Sequence, residues 1–202
     1  MINYPIITIS REYRSGGHII AKKLAELLNI PYYDKEIVSL AAKESGFTED
    51  ELEHSELSST NALGFFHKNS VFESPDVVPL NNRLFNVQSK VIMEIAEKGS
   101  AVIVGRCADS ILKNKGSINI FIEADMEDRI KASMELDNIQ DVHKAEHFIK
   151  KMDKYRSTYH NFYSEQKWGD RHLYDLVINR SGLSSNQTAE ILKQFIDMKV
   201  KK

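Results

Sequence analysis

A chain of 202 residues with 42% apolar and 28% charged side chains is long enough to bury one real core and too apolar to stay disordered. Its formal net charge of −2 provides no broad basic field for a long nucleic acid, although a local basic pocket for a small phosphate ligand remains allowed. The one cysteine, Cys107, excludes an intrachain disulfide and fits a reducing cytoplasm.

Met1–Ser10 lacks the basic segment and long apolar run of a signal peptide, and no stretch reaches the ~18 apolar residues of a membrane span. Pro5–Ser10 reads PIITIS, the β-branched run of a buried parallel strand. Ile20, Leu24, Leu27 and Leu28 then recur at helical spacing, so a helix is expected from about Gly17 to Leu28, ended by Asn29 and Pro31. Pro31–Tyr33 reads as a short second strand, with Asp34 placed to cap a helix from about Lys35. Thr48 and Glu51 form a capping-box pattern. Ser58–Pro79 shows no period and reads as a long loop or insertion.

Asn82–Lys98 is helical, with Leu84, Val91, Ile92 and Ile95 as its stripe. Ala101–Val104 is a third strand and Ser117–Ile122 a fourth. Asp125 is placed to cap the next helix, whose first turn carries Glu127 and Asp128 where the helix dipole favours anions. Val142–Tyr163 is a long charged and aromatic helix, Tyr174–Asn179 a fifth strand, and Gln187–Met198 the closing helix. Strands alternating with helices predict an α/β fold, a parallel five-stranded sheet with helices on both faces.

The first strand–turn–helix unit holds the turn Ser10-Arg11-Glu12-Tyr13-Arg14-Ser15-Gly16-Gly17-His18. Backbone N–H groups at such a helix start make an anion site, and Ser15, Gly16 and Gly17 let a phosphate approach the main chain. Against the phosphate-loop pattern G-x-x-x-x-G-K-[ST], with Gly16 on the second glycine, Arg11 stands on the first glycine, Gly17 on the lysine and His18 on the serine or threonine. On the pattern alone, a simple tight turn explains the segment equally well.

The wider sequence resembles the cytidylate kinase-like family. SREYRSGGHIIAKKLAELLNIPYYDKEI is similar to that family's S-R-E-x-G-S-G-G opening, apolar helix and Y-x-D-K-E-like segment. VIVGRCAD at Val102–Asp109 resembles its strand end G-R-D, and NIFIEADMEDRI its next strand and helix. Asp153-Lys154-Tyr155-Arg156 resembles its lid motif D-x-x-R. Trp168-Gly169-Asp170 and YDLVINRS at Tyr174–Ser181 resemble its last two segments. The family itself tends to carry glycine at the lysine place. Arg14 stands where it usually has glycine, and either crowds the loop or supplies the charge that the lysine would bring.

The resemblance implies a P-loop kinase fold in a single domain over 1–202, with an acceptor-binding and insertion region at about 34–82 and a helical lid at about 142–171. It implies a phosphotransferase using ATP and Mg²⁺ on a cytidylate-type nucleoside monophosphate. A non-catalytic phospho-ligand binding module is the alternative, and an interaction protein using the aromatic insertion a third reading, which would allow a homodimer.

In that scheme Arg11 takes over the role of the missing lysine and Arg156 swings onto the donor phosphates; both are the expected catalytic cations. Arg14, Ser15, Gly16, Gly17 and His18 bind phosphate, or His18 caps the helix or fills space. Arg106 clamps the acceptor phosphate with two parallel hydrogen bonds, or forms a structural salt bridge. Asp109 faces the acceptor base or sugar, or caps a helix. Arg129 lies near the acceptor, or pairs with Asp125 in solvent. Asp34 and Lys35 open the acceptor-binding helix. Asp153 shares a lid face with Arg156, and Lys150 and Lys151 are the cations nearest to where cytidylate kinases carry a second lid arginine. With no serine or threonine after the loop glycines, Mg²⁺ relies on water, the nucleotide, and Asp109 or Asp170. The seven histidines and one cysteine show no metal-ligand spacing. Trp168 and Tyr163 stack an adenine or simply pack. Phe65, Phe66 and Phe72 cap the acceptor site or face a partner.

Overall fold

The computed structural model describes residues 4–45 and 80–201. The Thr48 capping box and the Ser58–Pro79 insertion lie outside them. In chain order the elements are β1 (Ile7–Arg11), α1 (Gly17–Leu28), β2 (Tyr32–Tyr33), α2 (Glu36–Ser45), α3 (Leu80–Lys98), β3 (Val102–Val104) and α4 (Ala108–Ile111). Then come β4 (Ile118–Glu123), α5 (Met126–Leu136), α6 (Val142–Ser164), a 3₁₀ turn (Arg171–Leu173), β5 (Leu176–Asn179) and α7 (Ser185–Val200).

The sheet has five strands in the order β2-β3-β1-β4-β5, and every pairing is parallel. β1 sits at its centre, with Ile7 opposite Val102 on one side and Ile118 on the other. Parallel strands buried on both faces read as continuous apolar runs, which is why PIITIS and AVIV were legible. The chain places β2 and β3 on one side of β1 and then crosses to lay β4 and β5 on the other, so the carboxyl end of β1 is a switch point of the kind where ligands bind.

Side-chain alternation along β1 divides the core in two. Ile7 and Ile9 pack with Ile20 and Leu24 of α1 and with Leu192 and Ile196 of α7. Ile6 joins the other layer with Ile37 of α2, Leu84, Ile92 and Ile95 of α3, and Leu112. At roughly 1.5–3 kcal/mol for each fully buried Ile or Leu, these layers hold the sheet edge still.

Helix ends follow the sequence signals with two instructive differences. Asn29 closes α1 in the left-handed conformation, its N–H bonded to Glu26 and the N–H of Ile30 to Ala25. α7 begins two residues earlier than expected because Ser184 and Gln187 form a reciprocal capping box. Asp125 does stand at the start of α5 but makes no side-chain cap; its carboxylate accepts from Asn179 Nδ2 instead, at 2.7 Å.

Candidate active site

The carboxyl edge of β1 delivers the chain into a turn built around α1. Ser15 is fully buried, its hydroxyl donating to the Glu12 carbonyl at 2.9 Å. Gly16 caps α1 at φ +77 with no side-chain cap bond, a backbone region open chiefly to glycine. The N–H groups of Gly17 and His18, in the helix's first turn, carry no acceptor among the described residues. Arg180 walls the outer side, donating from Nε to the Ser15 carbonyl at 2.8 Å.

Arg11 explains the glycine at the lysine place. Its side chain leaves β1 and runs beneath Gly17, where an added Cβ would lie 2.6 Å from its Cβ and 2.8 Å from its Cγ. The guanidinium then passes so close to Gly105, at the end of β3, that a Cβ there would strike Nη1. It ends 3.7 Å from Asp34, which also accepts from the Tyr32 hydroxyl at 3.2 Å. Asp34 therefore serves as the arginine's counter-ion. Lys35 beside it is exposed.

Three side chains from α5 and α6 grip the backbone of residues 11–13. Arg156 donates to the Arg11 carbonyl at 3.1 Å. Asp153 accepts from the Tyr13 N–H at 2.7 Å, and Arg129 donates to the Tyr13 carbonyl at 2.8 Å. Arg129 is only 3% exposed and pairs with both Glu12, at 3.0 Å, and Asp153. It buttresses the turn from behind, which overturns the expectation of a solvated pair with Asp125.

Arg14 adopts φ +60, which accounts for the glycine of the family pattern there, since a left-handed backbone costs a side chain about 1–2 kcal/mol. A bidentate pair with Asp137 holds it, and Asp137 also accepts from the Tyr13 hydroxyl at 2.9 Å and from Ser133 at 2.7 Å. Two cations approach the Tyr13 ring, the guanidinium of Arg14 at 4.9 Å and that of Arg156 at 5.2 Å from its centroid.

Electrostatically the turn is short of negative charge. Burial first, and then the Arg11 cation, pull Arg156 down to about 9, which still leaves it charged at neutral pH. Burial likewise lowers Arg11, with Asp34 opposing. Partial desolvation lowers His18, which Asp34 opposes and Arg11, Arg14 and Arg156 reinforce. Beyond its bond to Arg11, Arg156 has no hydrogen-bond acceptor among the described residues. An anion entering here would meet unpaired amides and partly desolvated cations.

The opposite wall is the turn after β3. Gly105, Arg106 and Cys107 all have positive φ, +73, +59 and +56, and the Ala108 N–H closes the turn on the Gly105 carbonyl at 3.1 Å. This places Arg106 at the sheet's binding edge. Asp109 neither faces the open site nor caps α4 with its side chain; it is buried and bonded to His160 of α6 at 2.8 Å. Asp170 caps the 3₁₀ turn, accepting from the His172 N–H at 3.0 Å. Lys150 pairs with Glu146 at 2.6 Å, and Lys151 lies over the Tyr155 ring; both are exposed. Trp168 packs edge-on against Phe121, at 5.2 Å between centroids, and Tyr163 stacks on Phe85 at 4.0 Å.

The structure thus brings Arg11, Arg14, Ser15, Gly16, Gly17, His18, Asp34, Asp153 and Arg156 around one turn, with Arg106 on the adjoining one. Sequence reasoning did not single out Glu12, Tyr13, Asp137, His160 or Arg180. His160 stands four residues after Arg156, one helical turn along, a spacing that could have found it. Asp137 had no such signal for its loop partners, because Tyr13 and Arg14 lie more than a hundred residues away.

Among the described residues no three of His, Cys, Asp and Glu come together as a metal cage. Asp109 and Asp170, the carboxylates expected to help with Mg²⁺, are engaged as above. The donor set does not fit a protein-held metal.

A central-β1 parallel sheet with an anion-ready turn at its binding edge defines the P-loop kinase fold. Solved structures agree at the level of fold: shikimate kinase from Acinetobacter baumannii in complex with shikimate, 14% identical, superposes with a TM-score of 0.55 over 100% of this chain and 97% of that one. TT1252 from Thermus thermophilus, 16% identical, gives 0.55 over 96% and 98%. Within that fold the chain belongs to the cytidylate kinase-like family, whose sequence model matches residues 6–182. It is similar to the cytidylate kinase of Staphylothermus marinus, 26% identical over 95% of this chain and 96% of that one. It is also similar to an uncharacterized protein from Eubacterium ventriosum, 34% identical, with a TM-score of 0.70 over 96% and 98% of the two chains. No helix among the described residues is long and apolar enough to cross a membrane.

Proposed function

We propose that this chain is a cytoplasmic nucleotide kinase that transfers the γ-phosphoryl group of ATP to a cytidylate-type nucleoside monophosphate. The observation that carries the reading is the charge-poor turn itself. Unpaired amides at Gly17 and His18 lie beside two partly buried guanidiniums, Arg11 and Arg156, whose pKa values burial lowers.

Phosphoryl transfer asks the protein for positioning and positive charge rather than covalent help. The amides of residues 15–18 receive the donor phosphates, and Arg11 and Arg156 donate to the charge that develops on the transferred group. Arg11 stands in for the loop lysine by running through the space the lysine's stem would fill. Arg106, opposite, clamps the acceptor phosphate, with Asp34 and Lys35 at the mouth of the acceptor region, about residues 34–82. Residues 142–171 act as the lid. Arg14 and His18 lend charge and donors at the loop's rim. Mg²⁺ arrives on the ATP phosphates as part of the substrate.

A thermal-shift panel tests this, because a ligand that binds only the folded chain raises its melting temperature. MgATP and CMP should each raise it, and Arg156→Ala should lose the MgATP response by the equivalent of about tenfold in affinity or more. A panel in which no nucleotide shifts the transition contradicts the proposal.

A further inference from the structure

Asp109 and His160 form a buried pair that joins the two walls of the site. His160 is 4% and Asp109 6% exposed, with Nε2 and Oδ2 2.8 Å apart. The imidazole is locked from its other side. Ser164 donates its one hydroxyl proton to the His160 carbonyl at 2.6 Å and accepts from the Gln166 N–H at 3.1 Å. Ser164 Oγ also lies 3.1 Å from Nδ1, so both ring nitrogens have a partner, Nδ1 the serine and Nε2 the Asp109 carboxylate.

The position of the pair gives it meaning. His160 stands one helical turn beyond Arg156 on α6, and Arg156 reaches the Arg11 carbonyl. Asp109 stands three residues beyond Arg106, after the left-handed turn that presents that arginine. One hydrogen bond therefore fixes the turn of α6 carrying the donor-side cation against the turn carrying the acceptor-side cation. The rest of this end of α6 docks on α3 instead, through Tyr159 to Gln88 at 3.1 Å and Tyr163 stacked on Phe85. Those contacts hold the helix as well, and Tyr159 feels the charges of Cys107 and Arg106, so they support the register that the buried pair sets.

We propose that His160 and Asp109 are positioning residues that set Arg156 and Arg106 in register across the site. The proposal rests on the kinase reading for its catalytic consequence but not for its structural one. A misplacement of about 1 Å between reacting groups lowers rate by about a hundredfold, so the pair should act on kcat rather than on binding of either nucleotide.

The experiment compares wild type, His160→Gln, and the double variant Asp109→Ala/His160→Leu. Gln places an N–H donor near the Nε2 position, and the double variant removes both polar groups so that neither is left buried and unpaired. In the free protein, hydrogen exchange of residues 105–109 and 153–160 should quicken together by about tenfold or more in the double variant, and much less in His160→Gln, with 102–104 unchanged. In CMP phosphorylation with MgATP, the double variant should lose about a hundredfold in kcat with KM within about threefold, and His160→Gln should retain most of it. Unchanged exchange in either segment, or a loss confined to KM, overturns the proposal. Wild-type protein that does not phosphorylate CMP sinks the kinase reading alone, and the exchange result then decides the pairing by itself.

Discussion

Gly17→Ala probes the account of the degenerate loop most sharply. Gly17 lies at the start of a helix and has no positive φ, so by propensity alone alanine should be better there, by up to about 1 kcal/mol. The new methyl would instead lie 2.6 and 2.8 Å from Arg11 Cβ and Cγ, well inside the ~3.5–4.0 Å optimum for carbon contacts. Those atoms are near the backbone of the central strand and cannot swing away. Overpacking of this kind costs about 1–3 kcal/mol, which the propensity gain offsets in part, leaving a net loss of up to about 2 kcal/mol and a fall in melting temperature of up to about 8 °C. In an Arg11→Gly background the obstruction is gone, and the same substitution should be neutral or stabilising. The double-mutant cycle by thermal or urea unfolding reads the clash alone, a coupling of about 1–3 kcal/mol. Equal losses in both backgrounds would mean that Arg11 is not the reason for the glycine. By the same geometry Gly17→Lys should fail to improve phosphate binding while Arg11 is present.

Other outcomes follow from the network behind the loop. Arg129→Met should destabilise by about 3–5 kcal/mol in urea titrations, since it strands the carboxylates of Glu12 and Asp153; a loss under about 1 kcal/mol would show that Arg129 is no buttress. Burial works against the Asp137 carboxylate, yet hydrogen bonds from Arg14, Ser133 and Tyr13 hold it below its usual value. A carboxylate depressed in the folded state adds stability that is present above its unfolded pKa of about 3.9 and fades as pH falls through the folded value. The stability gap between wild type and Asp137→Asn should accordingly be full at pH 6 and shrink below about pH 4. A gap constant across that range would exclude the linkage. Arg11→Ala should weaken MgATP binding by about tenfold or more, while Lys199→Ala, paired with Asp175 at the opposite edge of the sheet, should leave it unchanged. Equal affinities by titration would remove Arg11 from the site.

Much of the scaffold was legible because its signals are local. The apolar runs at Ile6–Ile9 and Val102–Val104 mark buried parallel strands, and the 17–28 helix could be bounded from Gly17 and Asn29 alone. Of the cations around the loop, Arg11, Arg14 and Arg156 could be singled out from their order along the chain, and Arg180 could not. What each one touches was not legible. Arg129 and Asp109 belong to buried pairs whose partners, Glu12, Asp153 and His160, are set by how α5 and α6 fold back over β1. Arg14 could be seen as a departure from glycine, but its acceptance of a left-handed backbone depends on Asp137, 123 residues away. The loop's missing lysine read as a defect in sequence. In the structure the stem of Arg11 runs where a Gly17 side chain would begin, a close approach that residue order could suggest but only the fold could show.

The central claim is that these arginines and amides still support phosphoryl transfer without the lysine, and turnover tests it most directly. Purified protein would be incubated with MgATP and CMP, and CDP and ADP quantified together against an Arg156→Ala control. The account predicts CDP and ADP in equal amounts, with the rate falling by about tenfold or more in the control. MgATP and CMP both binding tightly while no CDP or any other phosphorylated nucleoside monophosphate from a panel appears would contradict it, and would make the chain a nucleotide-binding module in a kinase fold.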